Sequence, residues 1–343
     1  MLQRVLTTRL SPVAAVLLLA ALAGCGQGQT GGRPGASSTP TGPAASTPAP
    51  SPAAPVPTPT MIVSPIPLPS DAEIDARANG LVWALVGGLE LFRSTDRGQT
   101  WQQRPLPVQL GSAPVVSFVD DREGWLLVTG PAASSCQSQA ATIWHTADAG
   151  TSWLPLTAAG IGGARCKSSL SFTDPTHGFL VLTDPDHAPV VLRSADGGLT
   201  WSTSAPLPAP PGVTAQLSPG QVRSFGSTLL VQVDTQGHSY VYRADAGATA
   251  WRAAAETPFA PPILGLASAA RWVLLNPGAA RETLDGGATW HVYQTDYGQA
   301  APVAADVVFG DAATGYATVR GQIQRTLDGG AHWSTIHTPG TNT

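Results

Sequence analysis

An all-β chain folded as a six-bladed β-propeller of four-stranded antiparallel blades is predicted by three observations. The first is an octet that returns along the chain, from Ser94-Thr95-Asp96-Arg97-Gly98-Gln99-Thr100-Trp101 to Thr326-Leu327-Asp328-Gly329-Gly330-Ala331-His332-Trp333. The second is its spacing. The closing tryptophans Trp101, Trp153, Trp201, Trp251, Trp290 and Trp333 recur every 39 to 52 residues. Roughly 40–50 residues is the length of one blade. The third is a set of short β-branched and aromatic runs before each octet, bounded by Gly, Pro and Asp, which read as strands. A seventh, degenerate blade is the alternative.

The elements follow in order. The first unit reads as strands over 74–77, 81–86 and 89–92. In the second, Val115-Val116-Ser117-Phe118 is an inner strand and Asp120-Asp121-Arg122-Glu123-Gly124 a polar turn. Trp125-Leu126-Leu127-Val128 and Thr142-Ile143-Trp144-His145 follow as strands, and Trp153 opens a fourth after the octet. The third unit repeats this with Leu170-Ser171-Phe172, 178–182 and 190–193, and the last with Val307-Val308-Phe309, 315–319 and 322–325. The fourth octet is worn: Ala244-Asp245-Ala246-Gly247-Ala248-Thr249-Ala250-Trp251 has a residue inserted before its Trp. No long helix is expected after residue 70.

Each octet lies where the third strand turns into the fourth. A short Asp side chain accepts backbone N–H bonds within its own turn. Glycine two residues later tolerates positive φ. The opening Ser or Thr can close the turn, and the Trp can bury its ring against the next sheet. Asp96, Asp148, Asp196, Asp245, Asp285 and Asp328, with their six tryptophans, therefore read as structural.

These octets resemble the Asp-box, or BNR, repeat of sialidases and related propellers. The wider pattern of Phe-x-Asp, Gly-aromatic and Arg-x-x-Asp-Gly-Gly-x-x-Trp is similar to the photosystem II assembly-factor propellers. The resemblance covers residues 71–338 and implies the fold. It leaves function open, because such repeats occur in enzymes, receptors and assembly factors, and a fold does not imply an activity.

The N-terminal third has a different character. Arg4 and Arg9 precede an apolar run over 13–23, too short to span a bilayer, and then Leu22-Ala23-Gly24-Cys25. This resembles a bacterial lipoprotein signal over residues 1–24. The resemblance implies cleavage before Cys25, lipidation of its thiol, and a membrane-anchored protein on the extracytoplasmic face. Residues 25–70 are rich in Gly, Pro, Ala, Ser and Thr and read as an extended disordered tether. A minor alternative has 61–63 packing on the domain as an outer strand. The domain itself is assigned to 71–343 and is expected to be monomeric.

Composition narrows the function. A formal net charge of −4 and the absence of a basic cluster argue against nucleic acid. With Cys25 lipidated, Cys136 and Cys166 remain as an even pair in an oxidising compartment. Both fall in loops on the face opposite the octets, so a disulfide is expected. The 7 histidines are scattered without metal-ligand spacing, and no cofactor or metal is expected.

The longer, irregular loops emerge on the face opposite the octets, and function concentrates on such loops. The candidate binding residues there are Arg165, Lys167, Asp184, Asp186, His187, Asp234, His238, Asp296 and Tyr297. No catalytic residue is assigned. A sialidase needs an Arg triad, a Tyr nucleophile assisted by Glu, and an Asp acid/base, with Arg-Ile-Pro upstream of its first octet. The chain contains no Arg-Ile-Pro. The expectation is a non-catalytic binding or assembly platform for a protein or glycan ligand. The alternatives are a glycan-binding or sialidase-like glycosidase protein and a photosystem-assembly-like factor.

Overall fold

The computed structural model describes residues 72–107 and 112–340, apart from 185, 211, 214–215, 236, 259–262, 277, 299–306 and 320–321. The signal segment, Cys25 and the tether lie outside these residues. Six four-stranded antiparallel sheets follow one another, each with its strands in sequence order. Blade 1 holds β1 Ala72–Ala76, β2 Val82–Val86, β3 Glu90–Ser94 and β4 Gln102–Arg104. Blade 2 holds β5 Ser112–Phe118, β6 Gly124–Thr129, β7 Ala141–Thr146 and β8 Leu154–Pro155. Blade 3 holds β9 Cys166–Phe172, β10 Gly178–Thr183, β11 Val190–Ser194 and β12 Ser202–Thr203. Blade 4 holds β13 Ser218–Phe225, β14 Thr228–Thr235, β15 His238–Asp245 and β16 Arg252–Glu256. Blade 5 holds β17 Ile263–Leu266, β18 Trp272–Leu275, β19 Ala279–Thr283 and β20 His291–Gln294. Blade 6 holds β21 Val307–Phe309, β22 Gly315–Val319, β23 Gln322–Thr326 and β24 Trp333–Ile336. The fold is thus the six-bladed propeller, not the seven-bladed alternative.

The ring closes by packing and not by strand exchange. The first and last blades each draw all four strands from their own stretch of chain. Ile74, Val82 and Ala84 bury against Val308, Tyr316 and Ile323. The Trp101 indole donates to the His337 carbonyl at 3.1 Å, and Arg325 donates to the Arg97 carbonyl at 2.8 Å.

The octets build the turns expected of them. The Ser94 hydroxyl donates to Asp96 Oδ1 at 2.7 Å and accepts the Gly98 amide at 2.8 Å. Asp96 accepts the Thr100 amide at 2.9 Å and the Thr100 hydroxyl at 2.6 Å. Asp148, Asp196, Asp245 and Asp285 make the same pair of bonds to Ser152, Thr200, Thr249 and Thr289. His332 replaces the hydroxyl in the last octet and reaches Asp328 through its amide and Nδ1. Hydroxyl and amide donors hold the Asp96, Asp148 and Asp285 carboxyls at about 2. At Asp328 burial opposes ionisation, and the His332 donors outweigh it, again to about 2.

One detail differs from expectation. The octet tryptophans bury against the preceding blade, not the next. Trp153 lies with Trp83 and Leu91 of blade 1, Trp201 with Trp125 and Leu127 of blade 2, and Trp251 with Phe179 and Val181 of blade 3. Sheet twist explains this. Successive strands rotate by roughly 20–25°, so the outermost strand turns well away from the innermost. The octet then leans back over its predecessor, and the chain leaving each outer strand meets the following octet. Ala159, for example, donates to Leu199 O and accepts the Trp201 amide, both at 2.9 Å.

Candidate functional site

A cavity of about 520 Å³ occupies the centre of the ring. Inner strands of every blade line it, through Glu73, Val115, Lys167, Ser169, Gln221, Arg223, Leu264, Val307 and Phe309. Blade 4 alone adds residues of a second strand, Gln232 and Asp234. The volume falls within the roughly 300–1,000 Å³ of small-ligand sites. No tyrosine and a single arginine, Arg223, appear among the described lining residues.

The wall between blades 2 and 3 is braced. Cys136 and Cys166 form a disulfide, which joins the loop between β6 and β7 to the first residue of β9. Cys166 thus opens the inner strand itself, one step beyond the loop anticipated for it. Around the bridge, Gln139 donates its amide to Gly163 O, and Arg165 donates to Gln137 O. Lys167, the chain's only lysine, is buried beside them. Its ammonium donates to the carbonyls of Gln139, Ala164 and Arg165 at 2.7, 3.0 and 3.1 Å. Burial pushes its pKa below the ordinary lysine value. A lysine ammonium has three donors, and all of them serve the loops. Lys167 therefore lines the cavity as a brace.

Arg165, Asp184 and His187 form a linked group beside it. Arg165 Nε and Asp184 Oδ2 lie 2.8 Å apart, as do His187 Nδ1 and Asp184 Oδ1. Burial works against the Asp184 charge. The His187 ring, the Asp186 amide and the Arg165 guanidinium together outweigh it and hold the carboxyl below its usual range. Asp184 is buried, whereas Asp186 and His187 are exposed at the rim.

On blade 4, Asp234 accepts the Ser239 hydroxyl at 2.5 Å and the Gln232 amide at 3.0 Å, and it lines the cavity. His238 is exposed and pairs with Glu256 at 2.6 Å. Tyr240 and Tyr242 are core residues against blade 3, and Tyr242 donates to Pro208 O.

Asp296 and Tyr297 do not join this group. They follow β20 and sit against the last octet. Asp296 Oδ1 accepts the Trp333 amide at 2.6 Å, and the buried Tyr297 ring meets Trp333 edge-on at 5.5 Å between centroids. The sideways turn of the outer strand carries them there and makes them an inter-blade wedge. Conversely, Glu73, Ser169, Gln221, Arg223 and Gln232 line the cavity without having been singled out. Only Gln232 left a signal, as a polar residue where four other units keep Leu or Val; the positions of Glu73, Ser169, Gln221 and Arg223 vary in polarity from unit to unit.

Among the described residues, no group of three or more His, Cys, Asp or Glu is placed to hold a metal ion. No helix there is long and apolar enough to cross a membrane.

Comparison with known proteins supports the fold. Residues 92–103 match the family model of the BNR/Asp-box repeat. No curated protein matches the chain. Among solved structures, the SapL1 lectin in complex with alpha methyl fucoside is similar at 14% identity and a TM-score of 0.53, covering 80% of this chain and 98% of the lectin. YCF48 from Cyanidioschyzon merolae is similar at 17% identity and a TM-score of 0.47, over 79% of this chain and 86% of its own. The Hadza microbial sialidase Hz136 is similar at 14% identity and a TM-score of 0.47, over 78% of this chain and 65% of its own. At such identities the likeness concerns the fold. With the octet geometry and the six sheets, the match makes this chain a six-bladed β-propeller that carries the BNR/Asp-box repeat.

Proposed function

We propose that the chain is a non-catalytic binding platform, held at the extracytoplasmic face of a bacterial membrane through lipid on Cys25. The central cavity carries the reading. It has small-ligand volume and contributions from all six blades, yet its described lining lacks the tyrosine and the arginine triad of a sialidase. The Cys136–Cys166 disulfide supports an exported protein, since such bonds persist in oxidising compartments.

Photo-crosslinking in the native membrane tests the platform. A benzophenone amino acid at Asp186 or His187, on the rim opposite the octets, is expected to give a reproducible adduct. The same probe at Leu284 or Leu327, exposed within octets, is expected to give none. Adducts only from the octet side would reverse the assignment of faces. Turnover of a fluorogenic sialoside by the purified domain would overturn the non-catalytic reading. For the anchor, Cys25→Ala is expected to move the protein from the membrane fraction to the soluble one. Unchanged membrane retention would remove lipid from the proposal.

A further inference from the structure

Four blades keep a rule that blade 4 breaks with an amide and blade 6 with a threonine. In each blade, the second strand enters opposite the first residue of the octet: Val82 opposite Ser94, Gly124 opposite Thr146, Gly178 opposite Ser194, Trp272 opposite Thr283 and Gly315 opposite Thr326. In blade 4, Leu229 is opposite Ala244. Three residues on stand Leu85, Leu127, Val181, Leu275 and Thr318, the first four fully buried against the following blade. Blade 4 places Gln232 there, and Gln232 lines the cavity.

The inner strand departs from the rule as well. Asp75 accepts the Phe118 amide at 2.5 Å, Ser117 the Phe172 amide at 2.8 Å and Ser171 the Val222 amide at 3.1 Å. These bonds tie each of the first three blades to its successor. The equivalent residue in blade 4 is Arg223, one before the partner of Leu229. An arginine only donates, so it cannot accept the next blade's amide. It reaches Phe309 O in blade 6 instead, at 2.9 Å. The chain of acceptors stops there, and the cavity extends along blade 4 to Gln232 and Asp234. Gly265 and Val308 hold the same position in blades 5 and 6 and supply no side-chain acceptor either, so the departure peculiar to blade 4 is its polar wall of Gln232, and a local rule broken in this way marks a functional position.

We infer that this seam between blades 4 and 5 is a binding site for a neutral saccharide of one or two rings. The inference rests on the platform reading. The wall from blade 4 offers amide and carboxylate groups in Gln232 and Asp234. The opposite wall is apolar, from Leu264, Leu266 and Phe309. On the adjacent inner strand of blade 3, the lining residue Ser169 carries a buried hydroxyl that has no hydrogen-bond partner. Leaving such a group unmet is unfavourable, and a ligand hydroxyl would relieve it. Charge argues for neutrality. Lining carboxylates Glu73 and Asp234 balance Lys167 and Arg223, and both cations donate to backbone carbonyls. A ring with a polar edge and an apolar face fits both walls, whereas an anionic sugar would find no guanidinium triad.

Saturation-transfer NMR and calorimetry on the exported, oxidised protein test this. The probes are methyl glycosides of glucose, galactose, mannose and N-acetylglucosamine, with cellobiose, maltose, lactose and sialyllactose. At least one neutral probe is expected to bind with Kd of about 1 mM or tighter. Gln232→Leu places there the residue that three other blades carry, so it should fold at least as well, and it is expected to weaken binding about tenfold. Ser169→Ala is expected to weaken it severalfold without lowering Tm. Longer oligomers of the best probe separate two sources: unchanged affinity assigns a free sugar, and a gain assigns a chain end. Absence of binding by every neutral probe, equal binding by Gln232→Leu, or a requirement for the sialyl group would overturn the inference. Rim cross-linking to a protein partner would survive that failure, so the platform reading stands or falls separately.

Discussion

At the scale of single residues, the turn chemistry is sharper than its motif. In five of the six octets both residues after the Asp take positive φ; the worn octet of blade 4 does so only at Ala248. Gly197, Gly286 and Gly329 satisfy this at the first of them, but Arg97 and Ala149 adopt it with a side chain, both at 61°. A non-glycine residue there carries strain of about 1–2 kcal/mol, partly offset by the entropy glycine loses on folding. Ala149→Gly is therefore expected to raise stability by up to about 1 kcal/mol, read as a rise in Tm; a fall would contradict the strain. The glycine opening β10 works differently. A Cβ on Gly178 would sit 2.6 Å from the Phe172 ring, which itself stacks on Trp125 at 3.7 Å. Gly178→Ala is expected to cost about 1–3 kcal/mol through overpacking. Urea midpoints on the purified domain measure both. The Phe before the turn and the Gly after it were legible in the sequence. Their contact was not, because it depends on a ring lying flat across the hairpin.

Among the elements, the braced loops between blades 2 and 3 are the distinctive feature. Pairing of Cys136 with Cys166 followed from counting cysteines and from knowing which loops share a face. The Lys167 brace did not follow, because its three carbonyl partners come from two loops that only the fold brings together. The disulfide encloses a loop with a sequence separation of 30. Loop-closure entropy assigns it about 3–4 kcal/mol. A Cys136→Ser, Cys166→Ser double variant is expected to lose stability of that order. Amide exchange should quicken across 130–141 and 159–167 while the octets of distant blades stay protected. Uniform loss of protection around the ring would show that the brace is not local. Asp296 and Tyr297 teach the complementary lesson. Their sequence position after an outer strand suggested the free face, but twist swings that strand sideways and buries the tyrosine against the next octet.

For the whole molecule, the six octets distribute one acid-sensitive device around the ring. Each Asp carboxyl lies below its usual value of 3.8, to about 2 in Asp96, Asp148, Asp285 and Asp328, and also lowered in Asp196 and Asp245. A depressed folded-state pKa contributes stability that is complete above the unfolded value and is lost as pH falls through the folded one. The Tm is thus expected to hold down to about pH 4 and to fall steeply from there to about pH 2. Calorimetry across that window checks it, and a flat Tm would sink the argument. Fold class, blade number and the order of strands could be read from the chain, because a repeat writes its local chemistry six times and local turns need no distant partner. Which residues meet in the central cavity could not. Arg223 and Gln232 share one hairpin, but Ser169, Leu264 and Phe309 sit far from it along the chain on strands of ordinary appearance. Only ring closure brings those strands together, and only the accumulated twist of each sheet decides which side chains face the axis and which become wedges between blades.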